Sequence, residues 1–264
     1  MSMKVVVLGS SASMPAAGDA CSGYLVQSGG TNVLLDCGTG VISALQKHIA
    51  LTDLTAIVIT HFHPDHFIDL VPLRYGLRYG PGESIRPRVF LPPHGIAYLK
   101  QVGMGLRSSE NYFEQAYDLE EYQPECTLTL GDLNLSFCRT THDIPTWAIS
   151  VTDGEHTFAY TADTQESAEL VEFFTGADVL LSESTYPSTL ANLPSGNHLT
   201  SKQAGELATH AEVGHLVLSH FWPGIDRQEF LADAATTFQG PISLAESGSA
   251  IAVNAQNRSK NAFD

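Results

Sequence analysis

The sequence predicts an α/β fold of the α+β kind, a four-layer αββα sandwich in which two β-sheets pack face to face beneath outer helices. Two observations support this prediction. Short apolar, β-branched runs and segments of helical periodicity succeed one another in each half of the chain. No repeat, low-complexity tract or linker divides the 264 residues, so we expect one domain spanning residues 1–264.

The first half of the chain has the pattern of the first sheet. Strands are predicted where short apolar runs are bounded by glycine or polar turns, at 4–8, 24–26, 33–35, 56–59 and 88–91. Helices are predicted, from apolar residues at helical spacing, at 41–48, at 67–79 and from Pro93 toward Met104. Residues 108–123 are rich in tyrosine, phenylalanine and acidic residues and could form a lid or a covering loop.

The second half begins with hairpins and continues with alternating strands and helices. Glycine turns after residues 130 and 152 join strands predicted at 127–130 and 133–139, and at 147–152 and 157–160. Single strands are predicted at 177–181, 216–218 and 242–244. Helices are predicted at 167–174, at 201–211 with Thr200 as N-cap, and at 227–238.

Metal chemistry is indicated by the run from Thr60 to His66, which follows an apolar strand and contains three histidines and an aspartate. Side chains at i and i+2 of an extended segment point the same way, so His61 and His63 can reach one ion. The chain bends at Pro64, which places Asp65 and His66 better for a second ion. Imidazole nitrogen and carboxylate oxygen suit Zn²⁺, with Mn²⁺ or Fe as competitors. A surface histidine cluster is the alternative.

Further polar residues follow later strands, and the carboxyl ends of strands are where open α/β sheets bind ligands. They are His142, Asp163, Glu183 and His220, with His198 on a loop. Together they complete the ligand demand of two ions. The expected ligands are His61, His63 and His142 for the first ion, Asp65, His66 and His220 for the second, and Asp163 as a bridge between both.

Asp36 and four aromatic residues close to the motifs each have more than one interpretation. Asp36 could orient a metal-bound histidine or could cap the helix that follows. The aromatic residues beside the motifs could form a wall for a nucleobase, although core packing is the commoner role of such residues. These aromatic residues are Trp147, Tyr186, Phe221 and Trp222.

Composition narrows the partners and the compartment. The net charge is −16, with 13 basic against 29 acidic residues, which disfavours long nucleic acids because their phosphates require lysine and arginine. The four cysteines are widely spaced and include no CxxC pair, so we expect reduced thiols rather than a structural zinc site. No apolar run is long enough for a signal peptide or a membrane span. We therefore expect a cytoplasmic protein without membrane contact.

The motif from His61 to His66, followed by His142, Asp163 and His220, resembles the metallo-β-lactamase superfamily over almost the whole chain. Three further stretches resemble its ribonuclease Z branch: Ser182-Glu183-Ser184-Thr185, His198-Leu199-Thr200 and Leu218-Ser219-His220-Phe221. That branch implies phosphodiester hydrolysis by two divalent metal ions, zinc before manganese or iron. It also implies a Glu183–His198 pair beside the metals.

One departure from that branch concerns the substrate. Members that process tRNA carry a long arm between the third-histidine motif and the bridging aspartate, whereas here Asp163 follows His142 by only 21 positions. The chain is more similar to armless bacterial members, among them atypical cyclic-nucleotide phosphodiesterases. This resemblance implies a small phosphodiester substrate such as 3′,5′-cyclic AMP, and a homodimer.

The expected mechanism is in-line attack of a metal-bridging hydroxide on phosphorus. Asp65 would be both a ligand and the base or orienter of the nucleophile. His198, held by Glu183, would donate a proton to the leaving oxygen, since the pKa of histidine lies near neutrality. A ribonuclease acting on RNA 3′ ends and a lactone or thioester hydrolase are the alternatives within the same fold. A silent scaffold is disfavoured by the complete ligand set.

Overall fold

Two mixed β-sheets and seven α-helices make up the parts of the chain that the computed structural model describes, residues 3–81, 85–190 and 197–254. The strands are β1 (Lys4–Ser11), β2 (Ala20–Cys21), β3 (Gly23–Ser28), β4 (Thr31–Leu35), β5 (Ala56–Val58), β6 (Arg88–Leu91), β7 (Asp118–Glu121), β8 (Leu128–Leu130), β9 (Leu133–Arg139), β10 (Trp147–Thr152), β11 (Thr157–Tyr160), β12 (Val179–Glu183), β13 (Leu216–Ser219), β14 (Ile242–Leu244) and β15 (Ala250–Ala252). The helices are α1 (Val41–Leu45), α2 (Pro64–Phe67), α3 (Leu70–Tyr79), α4 (Gly95–Arg107), α5 (Ala168–Phe174), α6 (Ser201–His210) and α7 (Arg227–Ala234). Among these described residues, no helix is both long and apolar enough to cross a membrane.

The parallel strands of both sheets end at the edge where the candidate residues lie. The first sheet has the order β15-β1-β3-β4-β5-β6-β7, with β2 paired to β1, and β4 to β7 run parallel. The second sheet has the order β14-β13-β12-β11-β10-β9-β8, and β11 to β14 run parallel. His61 follows β5, Asp163 follows β11, Glu183 ends β12 and His220 follows β13. Four candidate residues therefore emerge at strand carboxyl ends, where such sheets bind ligands.

Alternate side chains of the first sheet face opposite layers, as the two-residue period of a strand requires. Val5 and Val7 of β1 join Ile149 of β10 in the core between the sheets. Val6 and Leu8 join a second core to which α3 and α4 contribute. Helices α5, α6 and α7 pack against strands of the second sheet. The predicted αββα sandwich is confirmed.

Among the predicted elements whose bounds differ in the structure, two lie next to candidate site residues. The helix predicted at 67–79 begins three residues later, as α3, and Phe67 is instead the last residue of α2. The Asp69 amide donates to the Cys37 carbonyl at 3.0 Å and not to the preceding helical turn, which separates the two helices. The strand predicted at 177–181 lies two residues further along the chain. Glu183 is therefore the last residue of a fully buried strand rather than part of a loop.

Three strands were not predicted, β2, β7 and β15, and α7 ends four residues earlier than predicted. β7 reads Asp-Leu-Glu-Glu and is mostly exposed, so it has no apolar alternation to detect. It is one of the two edge strands of the first sheet and is joined to β6 by backbone pairing and by the ion pair of Arg88 with Glu120. α7 stops because the amides of Thr236 and Thr237 donate to carbonyls only three residues back.

The segment 108–123 is part of the second core. Tyr112, Phe113 and Tyr117 are at most 2% exposed and lie in the same cluster as residues of α3 and α4. The Tyr117 hydroxyl donates to the Leu70 carbonyl at 2.6 Å, and the end of the segment contains β7. The burial of three aromatic rings in the core supports the covering interpretation over the lid interpretation.

A substitution in this segment separates a core role from a lid role. Phe113→Ala removes a ring that is 2% exposed, and we expect the free energy of unfolding to fall by about 3–5 kcal/mol. Leu106→Ala, at a position 48% exposed, is the control and should change it by less than about 0.5 kcal/mol. Chemical denaturation measures both. Equal stability of the two variants would show that the segment lies outside the core.

Candidate dinuclear metal centre

The loop from His61 to His66 changes direction at Pro64, as predicted. His63 is the N-cap residue of α2 in an extended conformation, and Pro64 is the first residue of the helix. Proline suits that position because its φ is already helical and its missing N–H is not needed there. Asp65 and His66 consequently extend from the first turn of α2, and both side chains are buried.

The structure brings all seven predicted ligands into two adjoining groups. Ligand atoms within 4.8 Å of one another define the first group, His61, His63, His142 and Asp163. The same separation defines the second group, Asp65, His66 and His220. A third, overlapping group adds His198 to Asp163 and His220. Each of the first two groups could hold one ion, in the sets predicted from the sequence.

The carboxylate of Asp163 lies between the two groups and is 2% exposed. Its Oδ2 atom is 3.6 Å from Nε2 of His61 and 3.8 Å from Nε2 of His142. Its Oδ1 atom is 3.3 Å from Nε2 of His66 and 3.5 Å from Nε2 of His220. One oxygen thus faces each group, which is the geometry of a carboxylate that can bridge two ions.

Two buried nitrogen atoms indicate that this donor set fits metal ions. Within the described residues, Nε2 of His61 and Nε2 of His66 are buried and make no hydrogen bond. An unpaired buried polar atom costs free energy, and a divalent ion would satisfy both. Burial also lowers the pKa of His61 to about 4, which keeps the imidazole neutral, the form that binds metals.

The acidic residues around these histidines make the site strongly negative. Although burial opposes the shift, Asp163, Asp65 and Asp36 raise the pKa of His66 well above its ordinary value. The three carboxylates are almost completely buried, at 2%, 6% and 0% exposed. Buried charges of one sign require compensation by a cation. The negative environment therefore favours the binding of divalent ions by the same residues.

Each buried histidine of the two groups uses its other ring nitrogen to contact a fixed acceptor or hydroxyl. Such contacts set the orientation and tautomer of metal-binding histidines. The contacts are His61 Nδ1 with Thr60 Oγ1 at 2.9 Å, His66 Nδ1 with Asp36 Oδ2 at 2.8 Å, His142 Nδ1 with the Asn197 carbonyl at 3.0 Å, and His220 Nδ1 with Thr185 Oγ1 at 2.8 Å.

Asp36 orients a histidine and does not cap a helix. Its Oδ2 atom contacts His66 and accepts the Tyr160 hydroxyl at 2.9 Å, and its Oδ1 atom accepts the Thr60 amide at 2.8 Å. The N-cap residue of α1 is Gly40, which has no side chain to cap with. The capping interpretation is therefore wrong. Tyr160 was missed by sequence reasoning, because its position on a buried strand resembles that of any core aromatic residue.

The backbone at the site is strained in several places. Asp36, Ala162 and His220 have φ values of 58°, 51° and 57°, in the left-handed region that costs a non-glycine residue about 1 kcal/mol or more. Such strain persists only where surrounding contacts impose it. Gly38 meets a related constraint, because a Cβ atom there would lie 1.8 Å from the Asp65 carbonyl oxygen. A side chain at position 38 would therefore collide with the backbone of the metal-binding loop.

Glu183 and His198 form the predicted pair beside the two groups. His198 Nδ1 is 3.1 Å from Oε2 and 3.3 Å from Oε1 of Glu183, whose side chain is almost fully buried. Burial opposes the shift, but the Glu183 carboxylate raises the pKa of His198 to about 9. The Glu183 carboxylate therefore favours the protonated form of His198.

Thr185 joins this pair to the second group. Its hydroxyl donates to Oε2 of Glu183 at 2.7 Å and lies 2.8 Å from Nδ1 of His220. The hydroxyl has one proton, so His220 must donate to it while it donates to Glu183. A continuous chain of hydrogen bonds thus runs from His220 through Thr185 and Glu183 to His198. The sequence placed Thr185 in a motif but did not assign it a role.

Comparison with known proteins identifies the family to which the chain belongs. The beta-lactamase superfamily domain matches residues 31–221 of the chain. The chain belongs to this superfamily. The probable metallo-hydrolase YhfI of Bacillus subtilis (strain 168) is 34% identical over 254 residues, which cover 93% of this chain and 98% of YhfI.

Two further matches support the family. The crystal structure of the metallo-beta-lactamase fold protein YhfI superposes with a TM-score of 0.85 at 30% identity, covering 96% of this chain and 100% of that chain. A ribonuclease Z of Thermoplasma acidophilum is 24% identical, over 90% of this chain and 92% of that protein. The predicted resemblance is confirmed, and the protein is a metal-dependent hydrolase.

Removal of the Thr185 hydroxyl should weaken metal binding. Thr185→Val leaves Nδ1 of His220 without its partner, and loss of such a contact typically costs about 10–100-fold in metal affinity. Thr185→Ser should restore the affinity. Competition with a chromophoric chelator measures the dissociation constants.

Ser184→Ala is the matched control. It also removes a buried hydroxyl, one that donates to the Ser219 carbonyl and stands apart from the chain to His198. Its metal affinity should equal that of the unmodified protein. Tight binding by Thr185→Val, or an equal loss in Ser184→Ala, would contradict the orienting role of Thr185.

Proposed function

We propose that this protein is a phosphodiesterase that uses two divalent metal ions, most readily Zn²⁺, to hydrolyse a small phosphodiester such as 3′,5′-cyclic AMP. The observation that carries the proposal is the position of the Glu183–His198 pair. His198 Nδ1 lies 3.1 Å from Glu183 and 3.9 Å from Oδ2 of Asp163, so a protonated imidazole stands beside the residues of both groups. This arrangement suits protonation of a leaving alkoxide next to a two-ion centre.

The two bound ions would lower the pKa of a water molecule and neutralise charge on the phosphoryl oxygens. Three contacts position the carboxylate of Asp65. Its Oδ2 atom accepts the Ser13 amide at 2.7 Å and lies 3.4 Å from His220 and 3.7 Å from His66. Against the effect of burial, these histidines lower its pKa well below the ordinary value. Asp65 therefore stays ionised and can orient the attacking water or accept its proton.

His198 supplies the proton for the leaving oxygen. Glu183 engages Nδ1, which makes Nε2 the ring nitrogen available to the substrate. The raised pKa keeps His198 protonated at neutral pH, so that Nε2 has a proton to donate. Thr185 and the Thr164 amide both donate to Glu183, and they fix the carboxylate that orients His198.

Two features favour a small substrate over RNA. The residues between His142 and Asp163, all of them described, contain the β10–β11 hairpin where tRNA-processing enzymes carry an arm. The net charge of −16 gives no long-range attraction to a polyanion. The likeness to a ribonuclease Z supports RNA 3′-end cleavage as the second candidate. The Glu183–His198 pair argues against a lactone or thioester hydrolase.

Several expectations from the sequence stay predictions. They are the single domain of residues 1–264, the homodimer, the cytoplasmic location, the small-molecule partner and zinc as the native ion. The four cysteines have free thiols, as expected for a reducing compartment.

A substrate panel tests the proposal directly. We expect metal-loaded protein to hydrolyse cyclic AMP, with cyclic GMP and bis-p-nitrophenyl phosphate as further phosphodiesters, and to leave precursor tRNA and a lactone intact. Chromatography of the nucleotides and gel analysis of the RNA measure the products. Cleavage of precursor tRNA without hydrolysis of a cyclic nucleotide would overturn the proposal in favour of the ribonuclease.

His198→Ala tests the proton donor. Loss of general acid catalysis should lower kcat for cyclic AMP by about 10²–10⁴-fold, because the ribose alkoxide is a poor leaving group. The loss should be much smaller with bis-p-nitrophenyl phosphate, whose phenolate leaves without a proton. Metal content, measured by mass spectrometry, should not change. Equal losses with both substrates would contradict the assignment of His198 as the acid.

A further inference from the structure

The four aromatic residues near the motifs have different surroundings in the structure. Trp147 and Phe221 are 6% and 3% exposed and belong to the core, where Phe221 packs edge-on against Phe230 at 4.9 Å. Trp222 is 39% exposed, and Tyr186 is half-buried. Core packing therefore explains the first two residues but not Trp222.

Tyr186 and Trp222 lie together although 36 residues separate them in the sequence. Their ring centroids are 5.5 Å apart and the ring planes are inclined by 31°. The Trp222 amide donates to the Thr185 carbonyl at 3.1 Å, and the Ser201 amide donates to the Tyr186 carbonyl at 3.0 Å. Backbone hydrogen bonds thus hold the main chain of both residues in place.

Tyr186 and Trp222 are each close in the chain to residues that line the His198 side of the centre. Trp222 follows His220 by two residues, and Tyr186 follows Thr185, which contacts both His220 and Glu183. His198 stacks beside His220, with ring centroids 5.4 Å apart. Since His198 is the proposed proton donor, the leaving group of the proposed reaction would lie on this side of Asp163.

We propose that Tyr186 and Trp222 form a stacking platform for a planar aromatic ring, the nucleobase of a nucleotide substrate or product. The identity of the ring as a nucleobase rests on the proposed phosphodiesterase function. Stacking on an aromatic face requires no basic residue, which suits a protein with a net charge of −16. The platform binds the base while the metal centre binds the phosphate.

A second aromatic pair, Phe62 and Tyr98, is a weaker candidate for this role. Its rings already stack on each other at 4.4 Å and 22°, and Phe62 also packs edge-on against Phe67. Phe62 lies between His61 and His63, on the side of the first group rather than beside His198. Tyr98 is 40% exposed, which makes it a matched control for Trp222.

The tryptophan content provides a readout that does not depend on turnover. The chain has two tryptophans, so Trp147→Phe leaves Trp222 as the sole fluorophore of this kind. We expect AMP to quench the fluorescence of this zinc-loaded variant to saturation, and ribose 5-phosphate, which has no base, to leave it unchanged. Trp222→Phe in the otherwise unmodified protein should abolish the quenching, because the remaining Trp147 is buried.

Inhibition supplies a second measurement. Trp222→Ala should raise the inhibition constant of AMP about tenfold in the hydrolysis of bis-p-nitrophenyl phosphate. The inhibition constant of inorganic phosphate should stay the same, because phosphate does not reach the platform. Tyr98→Ala should change neither constant.

The outcomes separate this inference from the proposed function. Saturable quenching by AMP in a protein that hydrolyses none of the phosphodiesters of the panel would sustain the platform and refute the phosphodiesterase. Hydrolysis of cyclic AMP without quenching, and with unchanged AMP inhibition in Trp222→Ala, would refute the platform alone. A tenfold effect in Tyr98→Ala instead of Trp222→Ala would also overturn it.

Discussion

The buried carboxylate of Asp163 is the group around which the site is arranged. It is 2% exposed, and four imidazole nitrogens lie 3.3–3.8 Å from its two oxygens. An ionised carboxylate is stable in such a position only with positive charge beside it. His66, whose pKa the surrounding carboxylates raise, can provide part of that charge, whereas His61, whose pKa is about 4, cannot. Divalent ions on both sides of Asp163 would satisfy the carboxylate and the unpaired histidine nitrogens together.

Hydrogen bonds on two sides of Asp163 hold the surrounding histidines in place. Asp36 extends from the end of β4 in the first sheet, and Tyr160 of β11 in the second sheet donates to it, so one hydrogen bond connects the sheets beneath His66. On the other side, Thr185 and Glu183 connect His220 to His198. The backbone is strained at Asp36 and His220. This conformational cost is the consequence of holding both side chains in the positions that the site requires.

The local features of the site were predictable from the sequence, and the contacts across the fold were not. The order of residues from His61 to His66 predicts the bend at Pro64 and the division between two groups, since both depend on neighbouring backbone. The Tyr160–Asp36 contact joins residues 124 positions apart, and no local pattern marks it. The exposed edge strand β7 escaped prediction because its sequence has no apolar alternation, and its pairing with β6 is again a contact between segments distant in the chain.

Anomalous diffraction from crystals of the zinc-loaded protein, recorded at the zinc absorption edge, tests the central claim most directly. The account predicts two peaks roughly 3.5–4 Å apart. One peak should lie beside Oδ2 of Asp163, among His61, His63 and His142, and the other beside Oδ1, with His66 and His220. A single peak, or two peaks on the same side of Asp163, would contradict the bridging role of this carboxylate.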